Sequence, residues 1–105
     1  MRRAEGWWAE LDPPSGRRPV VLLSRDEAYT VRSLLTVAPV TTRRRDIPVE
    51  VELGPDEGLP RPCVANLDIV TTIPKARLRE CIAYLPREKR LAIDAALRYA
   101  LGLSD

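Results

Sequence analysis

The sequence has 105 residues, of which 17 are Lys or Arg and 15 are Asp or Glu; the net charge is +2 and there is no histidine. That length suits one small domain spanning 1–105, and the lack of histidine excludes a histidine general base, a Ser-His-Asp triad and a His-ligated catalytic metal. No apolar run approaches the roughly 20 residues needed to cross a bilayer, and Met1-Arg2-Arg3-Ala4-Glu5-Gly6 lacks the apolar core of a signal segment, so a cytoplasmic protein is expected.

In chain order, Gly6-Trp7-Trp8-Ala9-Glu10-Leu11 reads as a first strand and Asp12-Pro13-Pro14-Ser15-Gly16 as a turn. The apolar run Pro19-Val20-Val21-Leu22-Leu23 predicts a buried second strand. A third runs from Ser33 to Thr41, with Pro39 implying a bulge, an edge or an end. Val49-Glu50-Val51-Glu52-Leu53 alternates as a half-buried strand does, and Gly54–Gly58 is the loop after it. Residues 63–67 and 79–85 are further strand candidates, with one helical turn over Pro74–Leu78 between them.

The last element is the clearest helix. Ile93, Ala96, Leu97, Ala100 and Leu101 gather on one stripe, Pro86 suits the first turn, and Gly102 suits the position just past the end. Short strands followed by one amphipathic helix make the chain mainly β, within the α+β class, as a strongly curved sheet or barrel with the helix against it. Cys63 and Cys81 are read as buried free thiols in preference to a disulfide, and with no histidine they make no structural zinc site.

Charge is uneven. From Arg17 to Arg45, seven arginines stand against Asp26 and Glu27, a local +5; from Asp46 to Pro62, five acids stand against Arg61, a local −4. The first stretch suits a polyanion, although most small charge clusters are solvated surface.

Five segments in order along the chain resemble the MazF/PemK toxins: Arg3 to Pro13, Gly16 to Ser24, Thr36 to Thr42, Asn66 to Ile73 and Ala96 to Leu103. The resemblance implies a small SH3-like antiparallel barrel, CcdB/MazF-like, with a C-terminal helix, assembled as a homodimer. It also implies metal-free and cofactor-free cleavage of single-stranded RNA, by attack of the 2′-hydroxyl, to 2′,3′-cyclic phosphate and 5′-hydroxyl ends. A cognate MazE-like antitoxin with an acidic, partly disordered tail is the implied protein partner.

Carried over with the motifs, Arg18 and Thr41 are the expected catalytic pair. Arg18 offers a planar fork of donors to phosphoryl oxygens, and Thr41 its hydroxyl. Arginine's high pKa favours charge stabilisation and protonation of the leaving 5′-oxygen over proton abstraction. Arg17, Thr42 and Arg43 are expected on the RNA backbone. Asn66 and Asp68 are expected either at base edges or as a turn former and a solvated acid. Trp7 and Trp8 are expected in core or dimer packing ahead of base stacking.

Two departures from the family pattern bear on RNA preference. The loop Pro14-Ser15-Gly16-Arg17 is short and lacks the usual Glu and Gln, and Ile69-Val70 replaces a Gln-containing pair. Two alternatives remain beside the nuclease. One is a gyrase poison of the CcdB type, whose Trp-Gly-Ile ending differs from Leu103-Ser104-Asp105. The other is a non-catalytic RNA-binding module.

Overall fold

A strand that is apolar at every position needs cover on both faces, and the run through Val20, Val21 and Leu22 receives it. The structure, a computed structural model, describes residues 1–103. Ser104 and Asp105, part of the contrast with a Trp-Gly-Ile ending, lie outside the described residues. The strands are β1 (Glu5–Glu10), β2 (Arg17–Leu22), β3 (Leu34–Thr41), β4 (Glu50–Leu53), β5 (Cys63–Asn66), β6 (Thr71–Pro74) and β7 (Leu78–Tyr84). A one-turn helix, α1 (Ala28–Val31), precedes β3, and α2 (Arg87–Leu101) follows β7. Every pairing is antiparallel, in the order β4-β5-β3-β2-β1-β7, with β6 also on β3. The mainly β, curled-sheet architecture with a C-terminal helix is therefore as expected.

Alternation along β2 divides the interior in two. Val20 and Leu22 join Ala9, Leu35 and Val37 on one face; Val21 joins Ala38, Val40, Val51 and Leu53 on the other. All three β2 residues are 0–1% exposed. Ile93 and Ala96 of α2 close the second cluster, with Leu97 and Ala100 packed at its margin. Leu101, expected on the same stripe, is 59% exposed. At 3.6 residues per turn, eight residues from Ile93 rotate about 80° past whole turns, so the stripe has swung off the sheet by Leu101. Pro86 is the cap, one residue before the first turn, and Gly102 ends the helix at φ 69°, with the Leu103 N–H on the Arg98 carbonyl.

Pro39 sits inside β3 and not at its end. Leu23 N–H donates to the Thr36 carbonyl, which makes Thr36–Leu23 a hydrogen-bonded position. Such positions alternate, so the Val20–Pro39 pair is of the other kind, and the N–H that proline lacks would point away from β2. On that side β3 changes partner, from β6 as far as Val37 to β5 from Val40. The proline stands at the changeover, where no donor is required.

Two elements escaped the pattern. In β6 only Ile73 is buried and a proline ends the strand; α1 is a single turn anchored by Tyr29. The turn expected over Pro74–Leu78 is a 3-10 turn at Lys75–Arg77, with Pro74 capping it. Both thiols are free, as expected, but Cys81 is exposed on β7 and Cys63 only half-buried. No helix among the described residues is long and apolar enough to cross a membrane.

Candidate functional site

Two residues on from the Val20–Pro39 pair, towards opposite chain ends, are Arg18 on β2 and Thr41 on β3, both still within their strands. Side chains two apart share a face, so the register turns Arg18 and Thr41 to the same side. Pro19, between Val20 and Arg18, has no N–H to extend the ladder, and the pairing of β2 with β3 ends at Val20. The two strand ends are thus held in register by what lies below them and are open to solvent above.

Each side chain keeps donors available for an anion. Arg18 Nε donates to the Ser15 carbonyl at 3.3 Å, so the two terminal nitrogens of the guanidinium remain to make a fork. Thr41 Oγ1 accepts the Arg43 N–H at 3.2 Å, which uses a lone pair and leaves the hydroxyl hydrogen to donate. The short loop before Arg18 folds back on itself, with Leu11 N–H on the Gly16 carbonyl and Ser15 N–H on that of Asp12. Its shortness aims Arg18, because the carbonyl that holds Nε belongs to the loop.

Beside Thr41 lies a cleft of about 170 Å³ that also involves Trp8, Pro19, Pro60, Arg61 and Cys63. Trp7 packs against the core as expected and donates Nε1–H to Glu5. Trp8, its neighbour on the opposite face, lines the cleft instead, with the Arg17 guanidinium 4.9 Å from its ring centroid. Sequence reading missed Arg61 because it stands in an acidic stretch; the signal was its rigid setting in Pro60-Arg61-Pro62. Burial, then the charge of Glu57, pushes the Cys63 thiol up, which keeps it neutral.

The basic and acidic stretches partly neutralise each other. Arg44 is held by Asp46 at 2.6 Å and by Glu52, and Glu50 accepts the Arg45 N–H. The hydrogen bond to Asp46, followed by the two carboxylate charges, raises the Arg44 pKa further. Thr42 and Arg43 are exposed next to Thr41, and Arg17, also exposed, has Glu80 at 3.8 Å. Asn66 is 6% exposed and its Oδ1 accepts the Asp68 N–H at 2.9 Å. It therefore serves as the turn former of the two readings, while Asp68 is exposed.

A curled antiparallel sheet backed by one C-terminal helix is the architecture of a class of small toxins. Its solved members include the Mycobacterium tuberculosis toxin MazF-mt6, with a TM-score of 0.88 at 32% identity over 96% of this chain and 99% of that one. A mycobacterial endoribonuclease in complex with its cognate antitoxin has a TM-score of 0.87 at 27% identity, covering 100% and 98%. The probable endoribonuclease MazF5 of M. tuberculosis is 40% identical over 103 residues, 97% of this chain and 94% of that protein. Residues 2–101 match the PemK-like, MazF-like toxins of type II toxin–antitoxin systems, and the chain belongs to that family.

Proposed function

We propose that the chain is the toxin of a type II toxin–antitoxin pair and acts as a sequence-specific, metal-independent endoribonuclease on single-stranded RNA. The RNA 2′-hydroxyl attacks the adjacent phosphorus, the bond from phosphorus to the 5′-oxygen breaks, and the ends left are a 2′,3′-cyclic phosphate and a 5′-hydroxyl. Arg18 holds the phosphoryl oxygens and supplies a proton to the departing oxygen; Thr41 donates to the same phosphate. Arg17, Thr42 and Arg43 hold neighbouring phosphates, and Asp68 meets a base edge. What supports this reading is strand parity, which from the Val20–Pro39 pair turns Arg18 and Thr41 towards one face, in a chain without histidine.

The protein works in the cytoplasm as a homodimer, stopping translation and growth when its antitoxin is lost. The relative solved with a cognate antitoxin supports such a partner here. An acidic tail would fold along the basic edge and cover the site. The test is purified protein on mixed single-stranded RNA in EDTA. Discrete cuts ending in cyclic phosphate are expected. Intact RNA with retained binding would instead identify a non-catalytic RNA-binding module, and inhibition of gyrase without RNA cleavage a CcdB-like poison.

A further inference from the structure

We infer that the cleft beside Thr41 is a nucleobase subsite, in which Trp8 stacks one unpaired base of the RNA and Arg61 closes its rim. This rests on the RNA-cleavage reading above and adds to it where the neighbouring base is held.

Trp8 is the first reason. A tryptophan inside a β-strand ordinarily joins a core, as Trp7 does, yet Trp8 belongs to neither hydrophobic cluster. Its half-buried ring lines an open cleft, and Arg17 stacks on it without lining that cleft. A guanidinium on an indole holds the ring in one orientation and adds positive charge beside it.

Size and lining are the second. A cleft of about 170 Å³ is on the scale of a single heterocyclic base. Pro19, Pro60 and the neutral Cys63 thiol offer little polar competition for a flat, weakly polar face. Nucleobases stack on aromatic rings whatever their sequence and display hydrogen-bonding edges to reading groups.

Charge is the third. Arg61 is exposed and forms none of the ion pairs among the described residues, although acids dominate its part of the sequence. With Arg17 stacked on Trp8 and Arg61 in the cleft lining, two guanidinium groups stand at this site. That setting favours a base carried on a phosphate backbone over an apolar protein side chain. Thr41, at the end of β3, also borders the cleft, which places the stacked base around that strand end from the proposed clamp and close to the cut phosphate.

The test uses the whole protein and a single-stranded 2′-deoxy oligonucleotide, which lacks the attacking hydroxyl, with one abasic nucleotide placed at each position in turn. In the wild type, one abasic position should weaken Kd on the order of tenfold, as loss of a single stacked base does. Trp8→Ala should abolish that penalty, Trp8→Phe should restore part of it, and Arg61→Gln should reduce it. Arg61 is exposed, so its variant carries the test if Trp8→Ala fails to fold. An undiminished penalty in folded Trp8→Ala and in Arg61→Gln would overturn the subsite and leave the cleft to a protein side chain. A wild type that cuts RNA but feels no abasic position overturns the subsite alone. One that neither cuts nor binds overturns the cleavage reading with it.

Discussion

Arg18 on β2 and Thr41 on β3 share a face, each two residues beyond the paired Val20 and Pro39. Both residues stand on strands, and the Ser15 carbonyl of the short loop before β2 further orients the Arg18 side chain. Below them lie buried residues, Val20–Leu22 of β2 and Val37 and Ala38 of β3, the kind of support a preorganised phosphate clamp needs.

If that clamp performs the chemistry, Arg18→Ala lowers kcat on single-stranded RNA by about 10²–10³-fold, the usual effect of deleting an oxyanion donor. Arg18→Lys recovers little, since a point charge does not replace a fork. Thr41→Ala loses one neutral donor and costs about tenfold, with Thr41→Ser close to wild type. Single-turnover cleavage measures all four, and an Arg18→Ala variant as fast as wild type would refute the site.

Binding to a non-cleavable single strand should weaken with salt by a slope of about −0.7 per phosphate neutralised. Arg17→Ala and Arg43→Ala should each flatten the slope by about 0.7. Arg44→Ala should change it less, because Asp46 and Glu52 already occupy that guanidinium. Equal changes at all three positions would show that the intramolecular pairing does not shield Arg44.

Stability should separate the two ends of the helix stripe. Ile93 is 0% exposed in the cluster beneath α2, and Ile93→Ala should cost about 2–5 kcal/mol through lost burial and the cavity left behind. Leu101→Ala, at a side chain that is 59% exposed, should stay within about 0.5 kcal/mol. Urea unfolding of the two variants decides it; comparable losses would place Leu101 in an interface.

Tyr29 offers a pH test. Burial first, then the charge of Asp26, raises its pKa from 10.0 to about 12, and its hydroxyl donates to the Ser24 carbonyl at 2.8 Å. The folded protein therefore keeps the phenol proton where the unfolded chain has lost it. That contribution is complete below pH 10 and disappears as pH rises through about 12. Tyr29→Phe should be less stable at neutral pH, by about 1 kcal/mol for the lost hydrogen bond, and should lose less stability between those two pH values. Parallel wild-type and Tyr29→Phe curves across that range would show that Tyr29 does not titrate as described.

Local pattern was enough for most of the framework. Alternation in Val49–Leu53, the unbroken apolar run after Pro19 and the spacing of Ile93, Ala96 and Leu97 each state a period and a buried face, and the structure uses all three. The ordered motif matches also picked out Arg18 and Thr41, and strand parity alone puts residues two apart on one side. Tertiary structure decided what periodicity does not encode, namely which strand lies beside which and what crosses over the sheet. Pro39 is tolerated because β3 exchanges β6 for β5 at that point; Asn66 turns inward as a cap. Cys81 stays in solvent, and Trp8 faces a cleft while Trp7 joins the core. Arg61 lines the same cleft as Thr41, some twenty residues away in sequence, because the fold brings Leu59-Pro60-Arg61 to the end of β3. A strand's own residues dictate its two faces through the pleat, whereas the neighbours of those faces depend on long-range pairing that no local window contains.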